Sequence, residues 1–249
     1  MTEWVRLGLG IAVLIAGSLT VLTWAGISQR RAVLLASARA VVQLAFVAAV
    51  LRGVFQAPWT VVLVLAVMFS VASFTAARRL RGQLGAGRAV AASCAAGSVV
   101  VIGLIVGLPV LSRDLRTLVA VSGIVFGGTM TAATLAGRRL SDGLRRRRDE
   151  IEAWLSVGAT PRQAIRAIAR DAAFEALVPA LDQTRTVGLV TLPGAFVGAL
   201  LGGASATAAA RFQVVVLIGL LCAESITATL LVWLLGAPAT LPADPAERP

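Results

Sequence analysis

The sequence predicts an all-α, polytopic membrane protein with about seven transmembrane helices, the N-terminus outside the cell and the C-terminus inside. Two observations predict the class and a third the orientation. Of the 249 residues, 58% are hydrophobic and 14% charged, whereas soluble domains carry about a quarter charged residues. The apolar residues are also gathered into blocks that match the roughly 20 helical residues needed to cross a bilayer. Finally, the positive charge is distributed unevenly among the segments between those blocks, which sets topology.

The first block, residues 7–25, holds no charge. It is long for a signal-peptide core and lacks a small-x-small cleavage site, so it reads as a retained helix. The second, 33–51, contains Arg39 and Gln43, one turn apart and therefore on one helix face. Residues 59–77, 89–108 and 117–135 supply the third, fourth and fifth spans. A long polar stretch follows, from Arg138 to Arg185. Residues 186–201 and 214–235 complete the set. The sixth is the shortest and has Thr191-Leu192-Pro193-Gly194 in its middle. Proline removes a helical hydrogen bond and clashes with the preceding turn, and broken helices at membrane depth are tolerated where they line a cavity. The tail, 237–249, is rich in proline and acids and reads as disordered, leaving 1–236 as one transmembrane domain.

Arginine counting gives the orientation. With the N-terminus outside, 18 arginines fall on inner segments and five (Arg6, Arg52, Arg113, Arg116 and Arg211) on outer ones. Ten of the inner arginines lie in the stretch from Arg138 to Arg185, which is thereby expected in the cytoplasm.

The chain's absences also exclude functions. The net charge is +11 and every basic residue is arginine; lysine, histidine and tyrosine do not occur. A P-loop ATPase needs its lysine, and Schiff-base chemistry, histidine triads and imidazole metal sites need residues this chain lacks. The basic charge is broken up by apolar spans and no nucleic-acid-binding motif is present, so no nucleic-acid partner is expected. Cys94 and Cys222 sit inside apolar segments and read as small buried residues.

The polar stretch encodes two helices. Asp149, Glu150 and Glu152 crowd the start of the first, where the macrodipole favours acids, and Gly158 ends it. Thr160-Pro161-Arg162-Gln163 restarts a helix with a capping box and proline at the first helical position. Along the second helix Arg162, Arg166 and Arg170 form one basic stripe, while Ile165, Ile168 and Ala172 lie on another face. Such a helix is a docking element or a helix lying at anionic headgroups.

Glu152-Ala153-x4-Gly158-Ala159-Thr160, with Ile168 ten residues after the glycine, resembles the EAA loop of ABC importer permeases. It departs from that pattern at Arg170-Asp171, where Leu-Pro would be typical. Over about 39–235 the chain resembles the FetB-type iron-export permease family, to which the plant STAR/ALS aluminium-tolerance permeases are related. The resemblance rests on Arg39-x3-Gln43-Leu44, Thr129-Met130-Thr131-Ala132, the segment from Glu152 to Gln163, the run from Val187 to Gly194, Leu201-Gly202-Gly203 and Ala210-Arg211-Phe212-Gln213. It implies a permease, not itself an enzyme, in the cell inner (plasma) membrane. Such a permease works as a homodimer with a separate ABC-type ATP-binding subunit. Glu152, Ala153, Gly158, Ala159, Thr160, Arg162 and Arg166 would then form the ATPase-coupling element. No cofactor is expected on this chain, since ATP and Mg²⁺ would belong to the partner. Iron is the cargo implied by the bacterial branch and a nucleotide-sugar by the plant one; a non-transporting membrane scaffold would share the docking loop.

Polar residues inside the apolar blocks are the candidate solute path: Arg39, Gln43, Thr129, Thr131, Pro193, Gly194 and Glu224. Glu224 stands near the middle of the last span, where an acid costs about 2.5–3.5 kcal/mol to insert and must face the bundle interior. No tight metal site is legible, because hard cations want several oxygen or nitrogen ligands and the spans offer one carboxylate.

Overall fold

The computed structural model describes residues 3–54, 58–80, 85–108 and 110–236. The predicted disordered tail, 237–249, lies outside them. Among the described residues the fold is all-helical, and the polytopic membrane class holds. Six helices are long and apolar enough to cross a membrane. The chain divides into two units, Met1–Thr60 and Val61–Pro249.

The first unit is a helical hairpin of α1 (Glu3–Trp24) and α2 (Arg30–Val54). Gly26, at φ 69°, closes α1, and Ile27 donates its backbone N–H to the Leu22 carbonyl at 2.9 Å, satisfying a carbonyl that the helix end would orphan. α1 buries no residue within the chain. Its hydroxyls are spent locally: Ser18, Thr20 and Thr23 donate to the carbonyls of Leu14, Ala16 and Leu19. The surface of α1 is accordingly largely apolar, as lipid requires.

The second unit packs α3 (Pro58–Arg79), α4 (Ala86–Gly107), α5 (Leu115–Arg146) and α10 (Ala206–Leu235) around small residues. Asp114 caps α5 by accepting from the Thr117 backbone N–H at 2.7 Å, and Ser205 caps α10 by accepting from Ala208. Without much hydrophobic drive between helices in lipid, close approach of small residues and interhelical hydrogen bonds hold them. Ala132, Ala133, Ala136, Ala223 and Ala228 are fully buried, and Thr227 Oγ1 on α10 donates to the Ser93 carbonyl on α4 at 3.2 Å. Phe69 of α3 meets Phe126 of α5 edge to face, with centroids 5.5 Å apart.

Between α5 and α10 the chain forms α6 (Arg148–Ser156), α7 (Pro161–Ala164), α8 (Arg166–Thr186) and α9 (Gly194–Leu201). One sequence expectation is corrected here. The predicted sixth span, 186–201, is not one helix: α8 ends at Thr186, residues 187–193 are irregular, and α9 has only eight residues. The break starts earlier than Pro193 because Gly188 takes φ 79° and its N–H turns back to the Thr191 carbonyl at 2.9 Å. Pro193, lacking an N–H, then stands at the N-cap of α9. The α8 helix packs into the bundle. Ile168, Ala172, Ala176 and Ala180 are buried, the first three in one apolar core with Leu140 and Leu144 of α5 and Leu231 of α10. α8 runs antiparallel to α5, since Ile168 lies against Gly143 and Glu175 pairs with Arg139 at 2.8 Å. Beyond that pair α8 continues for about three turns along the apolar part of α5, so α8 and α9 together bridge the interval assigned to the sixth span.

Candidate functional site

Two places gather the residues singled out from the sequence. The first is the turn between α6 and α7. Gly158 takes φ 87°, a left-handed conformation that side-chain-bearing residues avoid, and the chain reverses there. Thr160 accepts from the Gln163 N–H at 3.4 Å, while the Thr160 N–H donates to Gln163 Oε1 at 2.8 Å; the expected capping box is present. Ile151, Ala164 and Ile165 anchor the turn in the core. On its outer side Trp154 (51% exposed), Leu155 and Val157 (76% exposed) form an apolar knob.

Ion pairs fix this element to the helix ends. Arg147 donates to both Glu150 oxygens, at 2.6 and 2.7 Å, and reaches Asp171 of α8 at 3.3 Å. The bidentate bond to Arg147 holds the Glu150 carboxyl below its ordinary pKa and raises that of the guanidinium. Glu152 pairs with Arg148 at 2.9 Å, and Arg145 with Asp142. These pairs are exposed and individually weak; their effect is to orient α6 against α5 and α8. Ala153 lies exposed and Ala159 half-buried on the same turn. Arg162 and Arg166 lie on its α10 side, with the Arg162 guanidinium 4.6 Å from the centre of the Trp233 ring.

The second place is the contact of α4, α5 and α10. Glu224 is 7% exposed there and makes no ion pair or hydrogen bond with a described residue. It packs against Gly128 of α5, where an added Cβ would stand 2.6 Å from Glu224 Oε1. Next to it Thr129 is buried: its Oγ1 donates to the Phe126 carbonyl at 3.2 Å and lies 3.4 Å from Ser98 Oγ of α4, and Cys94 Sγ donates to the Thr129 carbonyl at 3.6 Å. This small polar seam, flanked by Ser93 and Thr227, has a carboxyl at one edge.

The remaining candidates do not join that seam. Thr131 is exposed and donates to the Gly127 carbonyl at 3.0 Å. Pro193 and Gly194 form the break before α9. Arg39 and Gln43 are exposed on α2 in the N-terminal unit. Among the described residues no three Cys, Asp or Glu side chains stand together. The sequence reading missed Gly97 and Gly128, whose lack of a side chain lets α10 close on α4 and α5. A sequence does not reveal which of its 24 glycines faces another helix.

Comparison with known proteins agrees with this architecture. The model of a family described as "Uncharacterised protein family (UPF0014)" matches residues 4–238. The chain is 36% identical over 206 residues to "UPF0014 membrane protein STAR2" of Oryza sativa, covering 80% of this chain and 72% of that protein. It is 31% identical over 236 residues to "UPF0014 membrane protein slr1647" of Synechocystis, covering 90% and 89%. To the Escherichia coli protein named "Probable iron export permease protein FetB" it is 30% identical over 196 residues, covering 76% and 74%. No solved structure matches the chain.

Proposed function

We propose that this chain, which belongs to the UPF0014 family of membrane proteins, is the membrane-spanning permease subunit of an ATP-driven exporter for iron or a related metal species. The observation that carries the reading is the α6–α7 turn. It presents Trp154, Leu155 and Val157 outward from a base fixed by buried Ile151 and Ile165. An exposed apolar knob on a strongly basic segment is a surface for a protein partner, and a helix seated in a groove through such anchors is a common recognition mode. The partner is an ABC-type ATP-binding subunit, which supplies ATP and Mg²⁺ that this lysine-free chain has no P-loop to hold. Two such subunits bind two permease copies, so the working unit is a permease homodimer in the inner membrane, with the α6–α7 turn in the cytoplasm.

Transport of a metal species fits the name of the Escherichia coli relative. In this chain Glu224 supports it: an unpaired carboxyl at membrane depth is a functional group by default. One carboxyl makes a transient contact for a passing cation rather than a resting site.

The test is co-expression with a lone ABC-type ATPase and reconstitution of the complex into proteoliposomes. Cargo is expected to stimulate ATP hydrolysis. Gly158→Pro, at a φ proline cannot adopt, and Glu152→Arg, which opposes Arg148, are expected to abolish the stimulation. A stable complex whose ATPase rate ignores both substitutions would overturn the docking assignment. A complex that hydrolyses ATP with no solute movement would favour a scaffold.

A further inference from the structure

The basic side chains of α7 and α8 face a groove. Arg162, Arg166 and Arg170 line one side of a cavity of about 350 Å³, with Ile165 beneath them and Val232 and Trp233 of α10 opposite. Two features define what fits there. Arg139, Arg145, Arg147, Arg148 and Arg185 each hold a carboxylate, whereas Arg162, Arg166 and Arg170 form no ion pair with a described residue. Their donors are therefore uncommitted and line the same groove, and guanidinium forks match phosphate oxygens two at a time. The opposite wall belongs to the last turns of α10, a helix apolar enough to cross the membrane. Trp233, 55% exposed near its end, sits where aromatic residues mark the edge of the hydrocarbon.

A ligand that meets both walls is anionic at one end and apolar along its length. We infer that this groove binds an anionic phospholipid of the leaflet at which α10 ends, with the headgroup phosphate on the three arginines and an acyl chain along Val232 and Trp233. An acidic protein surface would satisfy the arginines but leave the α10 side, at the edge of the hydrocarbon, uncovered. The site is separate from the Trp154–Val157 knob, so lipid binding and ATPase binding are independently breakable.

The test is native mass spectrometry of the full chain purified in detergent, titrated with phosphatidylglycerol, with phosphatidylcholine of the same acyl chains, and with sodium phosphate. Phosphatidylglycerol is expected to be retained and phosphatidylcholine and free phosphate not. R162A/R166A/R170A is expected to weaken phosphatidylglycerol binding about tenfold or more, and R138A/R145A/R146A, which removes equal charge outside the groove, less than twofold. The milder R166Q/R170Q keeps the Arg162–Trp233 contact and decides the matter if the alanine triple does not fold; a severalfold loss is expected. Equal losses in the groove and control triples would overturn the site as non-specific charge attraction. Displacement of the lipid by millimolar phosphate would overturn the requirement for an acyl chain. Unchanged lipid binding with loss of the ATP-binding partner would assign the stripe to that partner instead.

Discussion

Gly97 and Gly103 lie on the same helix, α4, and differ in one respect: what a methyl group there would touch. At Gly103 an added Cβ meets nothing within 4 Å. At Gly97 it meets the side chain of Thr227 and comes within 2.5 Å of the Ala223 carbonyl oxygen on α10. The carbonyl belongs to backbone and cannot rotate aside, so α4 and α10 must part by about 0.9 Å to restore the 3.4 Å of ordinary contact. That displacement stretches the Thr227–Ser93 bond, now 3.2 Å, past hydrogen-bonding range, at about 1 kcal/mol. Overpacking adds about 1–3 kcal/mol. Gly103→Ala should be neutral or stabilise by up to about 1 kcal/mol, the helix-propensity gain. The helix-propensity gain is common to both substitutions and cancels, so Gly97→Ala is expected to be less stable than Gly103→Ala by about 2–4 kcal/mol, a factor of about 30 or more in the unfolding equilibrium. The assay is equilibrium unfolding in mixed micelles of a mild detergent and dodecyl sulfate, followed by circular dichroism. Equal stabilities of the two variants would refute the α4–α10 contact.

Asp114 provides a pH-dependent counterpart. Its hydrogen bonds from Ser112 and from the Thr117 backbone hold its carboxyl below the ordinary range. A lowered folded-state pKa contributes stability that is present above the unfolded value, about 3.9, and lost as pH falls through the folded one. Unfolding measured from pH 6 to pH 2 should show that acid-side loss, and Asp114→Ala should remove it while costing about 1 kcal/mol at neutral pH for the cap; identical pH profiles would contradict the assignment. At Glu224, substitution by glutamine keeps the shape beside Gly128 and removes the charge. Transport of a divalent cation into vesicles is expected to fall at least tenfold with unchanged helix content, and wild-type transport would take Glu224 out of the solute path.

Much of this was readable from the sequence where the signal is local. Length and apolarity marked the long spans, and Thr160 to Gln163 declared a helix start that the structure reproduces to the hydrogen bond. Gly158 was legible as a helix end for the same reason. What was not legible depends on distant partners. The apolar face of α8 was visible, but not what it packs on: only the fold matches its alanines to α5 and α10 and pairs Ile168 with Gly143. The 186–201 stretch was apolar enough for a span, yet Gly188 and Pro193 break it where backbone conformation overrides hydropathy. The arginine stripe was visible, whereas Trp233, from the far end of the chain, became its neighbour only in three dimensions. Among the candidate site residues, Glu224 and Thr129 come together, and Arg39 and Gln43 belong to a unit whose partners no local pattern names.

The side of the membrane on which the α6–α7 turn lies is the point that most exposes this account. With Cys94 and Cys222 replaced, a single Val157→Cys, at the most exposed apolar position of that turn, can be probed with a membrane-impermeant thiol reagent. The account predicts no labelling in intact cells and full labelling in inside-out vesicles, reduced when the ATP-binding subunit is bound. Labelling of Val157→Cys from outside intact cells would contradict it.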